Sequence, residues 1–170
     1  HPERGITPGI EVSAGPLGQG VSVAGGMALG IKHKSESRVY CILSDGEIQE
    51  GQVWEAFNFA VRRQLSNLTF ILDRNKIQIE HYISEVATYG SVEGRFEAFG
   101  LHTLVVDGND SEALQRSLKT AQSISSGPGI IVANTLAGKG VSFMENDPGW
   151  HDKVPSSEEL KLALEELSEE

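Results

Sequence analysis

Two short stretches, Leu43-Ser44-Asp45-Gly46-Glu47 and Leu72-Asp73-Arg74-Asn75-Lys76-Ile77, each close an apolar run, Arg38 to Leu43 and Leu68 to Leu72. Continuous apolar runs of this length are the pattern of strands in a parallel sheet covered on both faces, whereas half-exposed strands alternate. Ligands of such sheets bind beyond the carboxyl ends of the strands. The reading therefore brings Asp45 and Asn75 together on one rim. A carboxylate and an amide form a hard, oxygen-only pair that suits magnesium and serves zinc poorly. Magnesium takes few protein carboxylates and fills its octahedron with water and substrate phosphates, so the missing ligands suggest a diphosphate. Gly46, where the first run turns, would admit a phosphate against the backbone. Taken alone, Asp45-Gly46 reads equally as a plain turn and Asn75 as a loop residue.

Outward from this core the chain alternates. His1 to Pro16 reads as loop, because Pro2, Gly5, Pro8, Gly9, Gly15 and Pro16 interrupt every period. Leu17 to about Lys32 is helical in pattern but rich in Gly18, Gly20, Gly25, Gly26 and Gly30. Each glycine inside a helix costs about 1 kcal/mol relative to alanine, so a buried helix pressed against another backbone is expected. Gly18-Gln19-Gly20 lacks the third glycine and the preceding strand of a dinucleotide fingerprint. Gly51 to Arg63 reads as a helix apolar on more than one face, part of which should meet another element or another chain. Then follow a short helix at Glu93 to Phe99, a strand at Leu101 to Val106, a helix from a cap at Asn109 to Ser111 to near Gly127, and a strand at Gly129 to Asn134. A capping box, Ser156 with Glu159, opens a last helix over 156–169. Strands alternating with helices give a single α/β domain, 1–170, with a mainly parallel sheet and helices on both faces. Asp107 and the loop from Thr135 to Gly140 should share the rim with Asp45 and Asn75.

The chain of 170 residues carries 14 basic and 24 acidic side chains, net −10. An acidic balance argues against a nucleic-acid or anionic-membrane surface, which needs a basic face. No apolar run reaches the ~20 residues of a membrane span. The single cysteine, Cys41, lies within a strand and reads as a packing residue, which fits a reducing, cytoplasmic setting.

Leu43 to Glu47 followed by Asp73 to Ile77 resembles the thiamine diphosphate and magnesium motif of thiamine-dependent enzymes. His1-Pro2, Gly15-Pro16-Leu17-Gly18-Gln19-Gly20, Gln49-Glu50-Gly51, Trp54-Glu55-Ala56 and Trp150-His151 are similar specifically to transketolase. The resemblance runs from His1 to about Pro155. It implies a family domain that starts about a hundred residues before His1, and a pyrimidine-binding domain that follows it or, in split transketolases, forms a separate subunit. The activity implied is transfer of a two-carbon ketol unit from a ketose phosphate to an aldose phosphate, in a homo- or hetero-oligomer. A thiamine-dependent ligase or synthase with another donor, such as a 2-oxo acid, and a non-catalytic dimerisation module are the other readings.

Position by position, the resemblance implies that Asp45 and Asn75 bind magnesium through side chains and Ile77 through its carbonyl. Gly46 and Glu47 would lie at the diphosphate, and Gly15, Pro16 and Leu17 would line the aminopyrimidine pocket. His1 and His151 match active-site histidines that hydrogen-bond substrate hydroxyls and the cofactor. Glu50 and Glu55 match interface carboxylates that share a proton between active sites. Two acids held close raise one another's proton affinity, so sharing is chemically reasonable. Lys139, between two glycines, is a candidate contact on the substrate or diphosphate side. Ser44 and Asp152 stand where the family commonly has glycine. An ordinary backbone is expected at Ser44, and a carboxylate at Asp152 bears on which anionic ligand is accepted. The glutamate that protonates the aminopyrimidine ring, and the basic residues that grip a sugar phosphate, are expected on the pyrimidine-binding partner.

Overall fold

A computed structural model of the chain describes residues 1–88 and 90–168. In chain order its elements are α1 Gln19–Ile31, β1 Val39–Ser44, α2 Gly51–Arg62, β2 Leu68–Arg74, β3 Ile77–Gln78, β4 His81–Tyr82, α3 Ile83–Val86, α4 Val92–Ala98, β5 His102–Asp107, α5 Ser111–Ser123, β6 Gly129–Asn134 and α6 Ser157–Leu167. The four long strands form one sheet in the order β1-β2-β6-β5, every pair parallel. Parallel neighbours need a crossover, and the helices supply it. Register does the rest: Leu43 pairs with Leu72 and Ser44 with Asp73, so the residues after β1 and after β2 emerge together at one end.

One face of the sheet carries the main core. Leu43, Phe70, Leu72, Ile130 and Val132 pack under α1 (Val21, Ala24, Ala28), α2 (Val53, Phe57, Ala60) and α4 (Val92, Phe96). Trp54 joins this layer against Phe57, Phe96 and Phe99 and donates its indole N–H to the Ile48 carbonyl at 2.8 Å. The other face is covered by α5 over β5 and β6; a Cβ at Gly129 would lie 3.3 Å from Ile124. Helices on both faces are therefore present, as expected. The cover stops short of the edge strand β1, where Ile42 is 73% exposed.

α1 departs from expectation. It is pressed against side chains rather than another backbone, and on one side only, with Gly25 against the Phe59 ring and Gly20 beneath the Cys41 sulfur, while Gly26 and Gly30 face open space and Val23, Met27 and Leu29 are exposed. The helix starts at Gln19 because Gly18 takes φ 77°, which glycine adopts without steric cost. α4 starts one residue earlier than expected, capped by the Ser91 hydroxyl, which accepts from the Gly94 N–H. α6 has the anticipated capping box at Ser156 and Glu159; position 169, where the sequence pattern ends it, lies outside the described residues. No helix among the described residues is long and apolar enough to cross a membrane.

The small antiparallel pair β3–β4 has no counterpart in the sequence reading. Its tight turn holds Ile79 at φ 54° with the side chain 57% exposed. A β-branched residue in the left-handed region is sterically costly. Ile79→Gly is expected to stabilise the chain by about 0.5–1 kcal/mol after the extra freedom of glycine in the unfolded chain is subtracted. A urea titration checks this: the midpoint should rise, and a fall would mean that the isoleucine side chain is held by contacts worth more than the strain.

Candidate cofactor and metal site

Asp45 stands directly beyond β1 and is 2% exposed. Its Oδ2 accepts the Lys76 N–H at 2.6 Å, so the loop after β2 folds onto the end of β1. Burial pushes the Asp45 carboxyl above its ordinary range, opposed by that hydrogen bond and the nearby Arg74 charge. Asn75 follows β2, with Oδ1 accepting from the Ile77 N–H at 2.9 Å and Nδ2 donating to Asp73 Oδ2 at 3.4 Å. Asp73 is held in turn by the Thr135 hydroxyl, which brings the end of β6 into the same network. A buried carboxylate, a side-chain amide oxygen with a second lone pair and the Ile77 carbonyl make a hard donor set. Among the described residues no group of three or more His, Cys, Asp or Glu gathers at a point. The donors present fit an oxygen-seeking divalent cation that completes its shell with ligand oxygens and water.

The Gly15 to Gly18 loop is tied to this end of the sheet by Glu47, whose Oε1 accepts the Gly18 N–H at 2.8 Å. The Glu47 N–H is itself held by the Ser44 hydroxyl at 3.2 Å, and Ser44 has no positive φ, as expected for a serine at that position. Glu47 thus organises the loop. At Gly18 the space is closed as well: a Cβ would meet the Gln52 side chain at 2.7 Å. Gly15 lies against the His1 imidazole, where a Cβ would come within 3.5 Å of Nδ1. Two residues at opposite ends of the N-terminal loop are thereby brought into contact. Pro16 and Leu17 are exposed, Leu17 by 52%, which leaves an apolar side chain available at the loop's outer surface. Gly46 turns away from β1 in an αR conformation, and the Gln78 side chain from the β3–β4 hairpin stands over it.

The remaining sequence-predicted residues sit on other elements. Glu50 is the N-cap of α2 and Glu55 lies on its exposed face. His151 is exposed at the end of a 3-10 turn, Pro148–Trp150, whose tryptophan packs on Phe143 and carries the Lys153 ammonium 3.8 Å above its ring. Lys139 is paired with Glu145 at 3.6 Å, between Gly138 and Gly140, both at positive φ. A side chain at Gly138 would strike the Met144 carbonyl, so glycine is required there.

Sequence reasoning missed two participants. Lys76 has φ 66°, unusual for a residue with a side chain, and this turn is what aims its N–H at Asp45. The left-handed backbone left no signal, because lysine is not a residue that favours it. Arg74 belongs to the motif, yet the motif assigns it no role; it pairs with Glu93 of α4 and reaches Asn134 Oδ1 at 3.5 Å, locking the ends of β2 and β6 to α4. A cleft of about 460 Å³ opens beside Asp45, with Arg74, Lys76, Tyr82 and Asn146 in its walls.

Residues 1–168 match the family described as transketolase, thiamine diphosphate binding domain. One subunit of apulose-4-phosphate transketolase from Actinobacillus succinogenes is 39% identical over 100% of this chain and 62% of its own length. One subunit of 6-deoxy-6-sulfo-D-fructose transketolase from a Clostridium species is 37% identical, again over 100% of this chain and 62% of the relative. The transketolase structure from Campylobacter jejuni superposes with a TM-score of 0.86 at 33% identity, covering 94% of this chain and 26% of that one. The chain thus spans about three fifths of the curated relatives it matches and about a quarter of that transketolase.

Proposed function

This chain belongs to the transketolase family, within its thiamine diphosphate-binding domain, and from that premise we propose that it forms the diphosphate- and magnesium-binding part of a transketolase that acts with a pyrimidine-binding domain or subunit. The observation that carries this reading is the buried Asp45 carboxylate, tied through the Lys76 N–H to the loop that carries Asn75 and Ile77, at the ends of two adjacent parallel strands. Asp45, Asn75 and the Ile77 carbonyl hold magnesium, and Gly46 lets the diphosphate approach the backbone. Thiamine diphosphate, when bound, supplies the carbanion chemistry that moves a two-carbon ketol unit from a ketose phosphate to an aldose phosphate. The chain's own share is placement and charge. Glu47 positions the Gly15 to Leu17 loop through the Gly18 N–H, and the loop presents an apolar edge to the aminopyrimidine. His1, seated on Gly15, and His151 hydrogen-bond substrate hydroxyls and act as general acid or base, a service worth about 10²–10⁴ in rate. Glu50 and Glu55, exposed on the α2 side, meet their counterparts across an interface between protomers.

The relatives' substrates, apulose 4-phosphate and 6-deoxy-6-sulfo-D-fructose in their names, support a ketose carrying an anionic group as donor. The complex of this chain with its pyrimidine-binding partner tests the reaction class. Ketol transfer from a ketose phosphate to an aldose phosphate, dependent on magnesium and thiamine diphosphate, is the expected result. Carbon dioxide release from a 2-oxo acid without ketol transfer would overturn it in favour of a synthase.

A further inference from the structure

Lys76 carries a conformational cost that its backbone role does not require. The turn at φ 66° points the N–H at Asp45 Oδ2 and the carbonyl at the Ile83 N–H, 2.8 Å away, and glycine would make both bonds without strain. The lysine side chain is exposed and lines the cleft beside Asp45. Of the two cations in that cleft, Arg74 is committed to Glu93, whereas the Lys76 ammonium has no carboxylate within ion-pair distance among the described residues and acts on Asp45 through its charge alone. Charge balance gives this ammonium a task. A diphosphate ester carries about two to three negative charges near neutral pH; magnesium supplies two positive charges, and Asp45 takes one back. The assembled site is left negative, in a chain whose net charge is already −10.

Resting on the reading of this site as a magnesium–diphosphate anchor, we propose that Lys76 is a specificity-determining residue whose ammonium is the second cation of the diphosphate site, held there by a left-handed backbone that the chain tolerates for the sake of the side chain. Residues at strained φ/ψ positions concentrate at ligand clamps for this reason. The ammonium acts as a point charge on a flexible stem, so arginine can replace it at this position better than any neutral residue.

Calorimetric titration of the full chain with inorganic pyrophosphate and magnesium tests the assignment. Lys76→Asn, which tolerates the left-handed backbone, and Lys76→Gly are expected to weaken magnesium-dependent binding about five- to tenfold, the deficit shrinking at high salt, while Lys76→Arg stays within about twofold of the wild type. Lys76→Gly should at the same time raise the melting temperature by about 2 °C, since strain is relieved as function is lost. Unchanged binding in both neutral variants, or a loss in Lys76→Arg equal to theirs, overturns the role of the ammonium. Asp45→Asn separates the two levels: if it abolishes binding while the neutral Lys76 variants bind as tightly as the wild type, the anchor stands and the lysine assignment falls. If the wild type itself shows no magnesium-dependent binding, both fall.

Discussion

Replacing Asp45 with asparagine is expected to lower the affinity for magnesium and thiamine diphosphate by about a hundredfold or more, with a parallel loss of activity in the assembled enzyme, and to leave the metal-free chain at least as stable as the wild type. The two halves of this result have one cause. Asp45 is the buried anionic donor of the site, so its charge dominates cation binding. The same burial raises its proton affinity in the fold above that in the unfolded chain. A carboxyl whose folded pKa is raised above its unfolded value costs the fold stability as pH rises from the unfolded pKa through the folded one, and the cost is complete only above the folded pKa. Asparagine sheds the charge and keeps an oxygen to accept the Lys76 N–H. Melting curves without metal, set beside cofactor titrations with it, read both effects. Cofactor affinity within a few-fold of the wild type would remove Asp45 from the metal site.

Phe57→Ala is expected to cost about 3–5 kcal/mol of stability, a large share of the 5–15 kcal/mol typical of a domain. Phe57 is fully buried, and its ring meets Phe70 of β2 at 4.8 Å between centroids and Trp54 and Phe96 edge-on at 5.7 Å. It is the point where α2, α4 and the sheet interlock. Truncation there removes the edge-to-face contacts and leaves a cavity in the main core. Denaturant unfolding followed by tryptophan fluorescence reports the loss directly through Trp54. A change below about 1 kcal/mol would mean that the three elements are held together elsewhere.

What could be read ahead of the structure followed from periodicity and from strand-end logic. β1, β2 and β6 are continuous apolar runs, and a parallel sheet explains why such runs end at Asp45, Asn75 and Thr135 on one rim. β5 was legible for the same reason, although its outer residues prove exposed because it is an edge. The β3–β4 hairpin was not legible: strands of two residues have no period, and Ile79 gives no hint of a tight turn. The glycines of α1 signalled close packing correctly at Gly20 and Gly25, but composition cannot say which face of a helix is covered, and Gly26 and Gly30 turned outward. In the site itself, residue types announced the oxygen donors. The contacts that position them, Glu47 to Gly18, Lys76 to Asp45 and His1 against Gly15, join residues distant in sequence through backbone groups that every residue type shares, so no letter marks them.

The central claim is that the paired strand ends of β1 and β2 anchor a diphosphate through magnesium. Isothermal titration of thiamine diphosphate into the chain together with its pyrimidine-binding partner, with magnesium present and then chelated, tests it most directly. The account predicts saturable binding that requires the cation and disappears in Asp45→Ala. Equal binding with and without magnesium, or binding unaltered by that substitution, would contradict it.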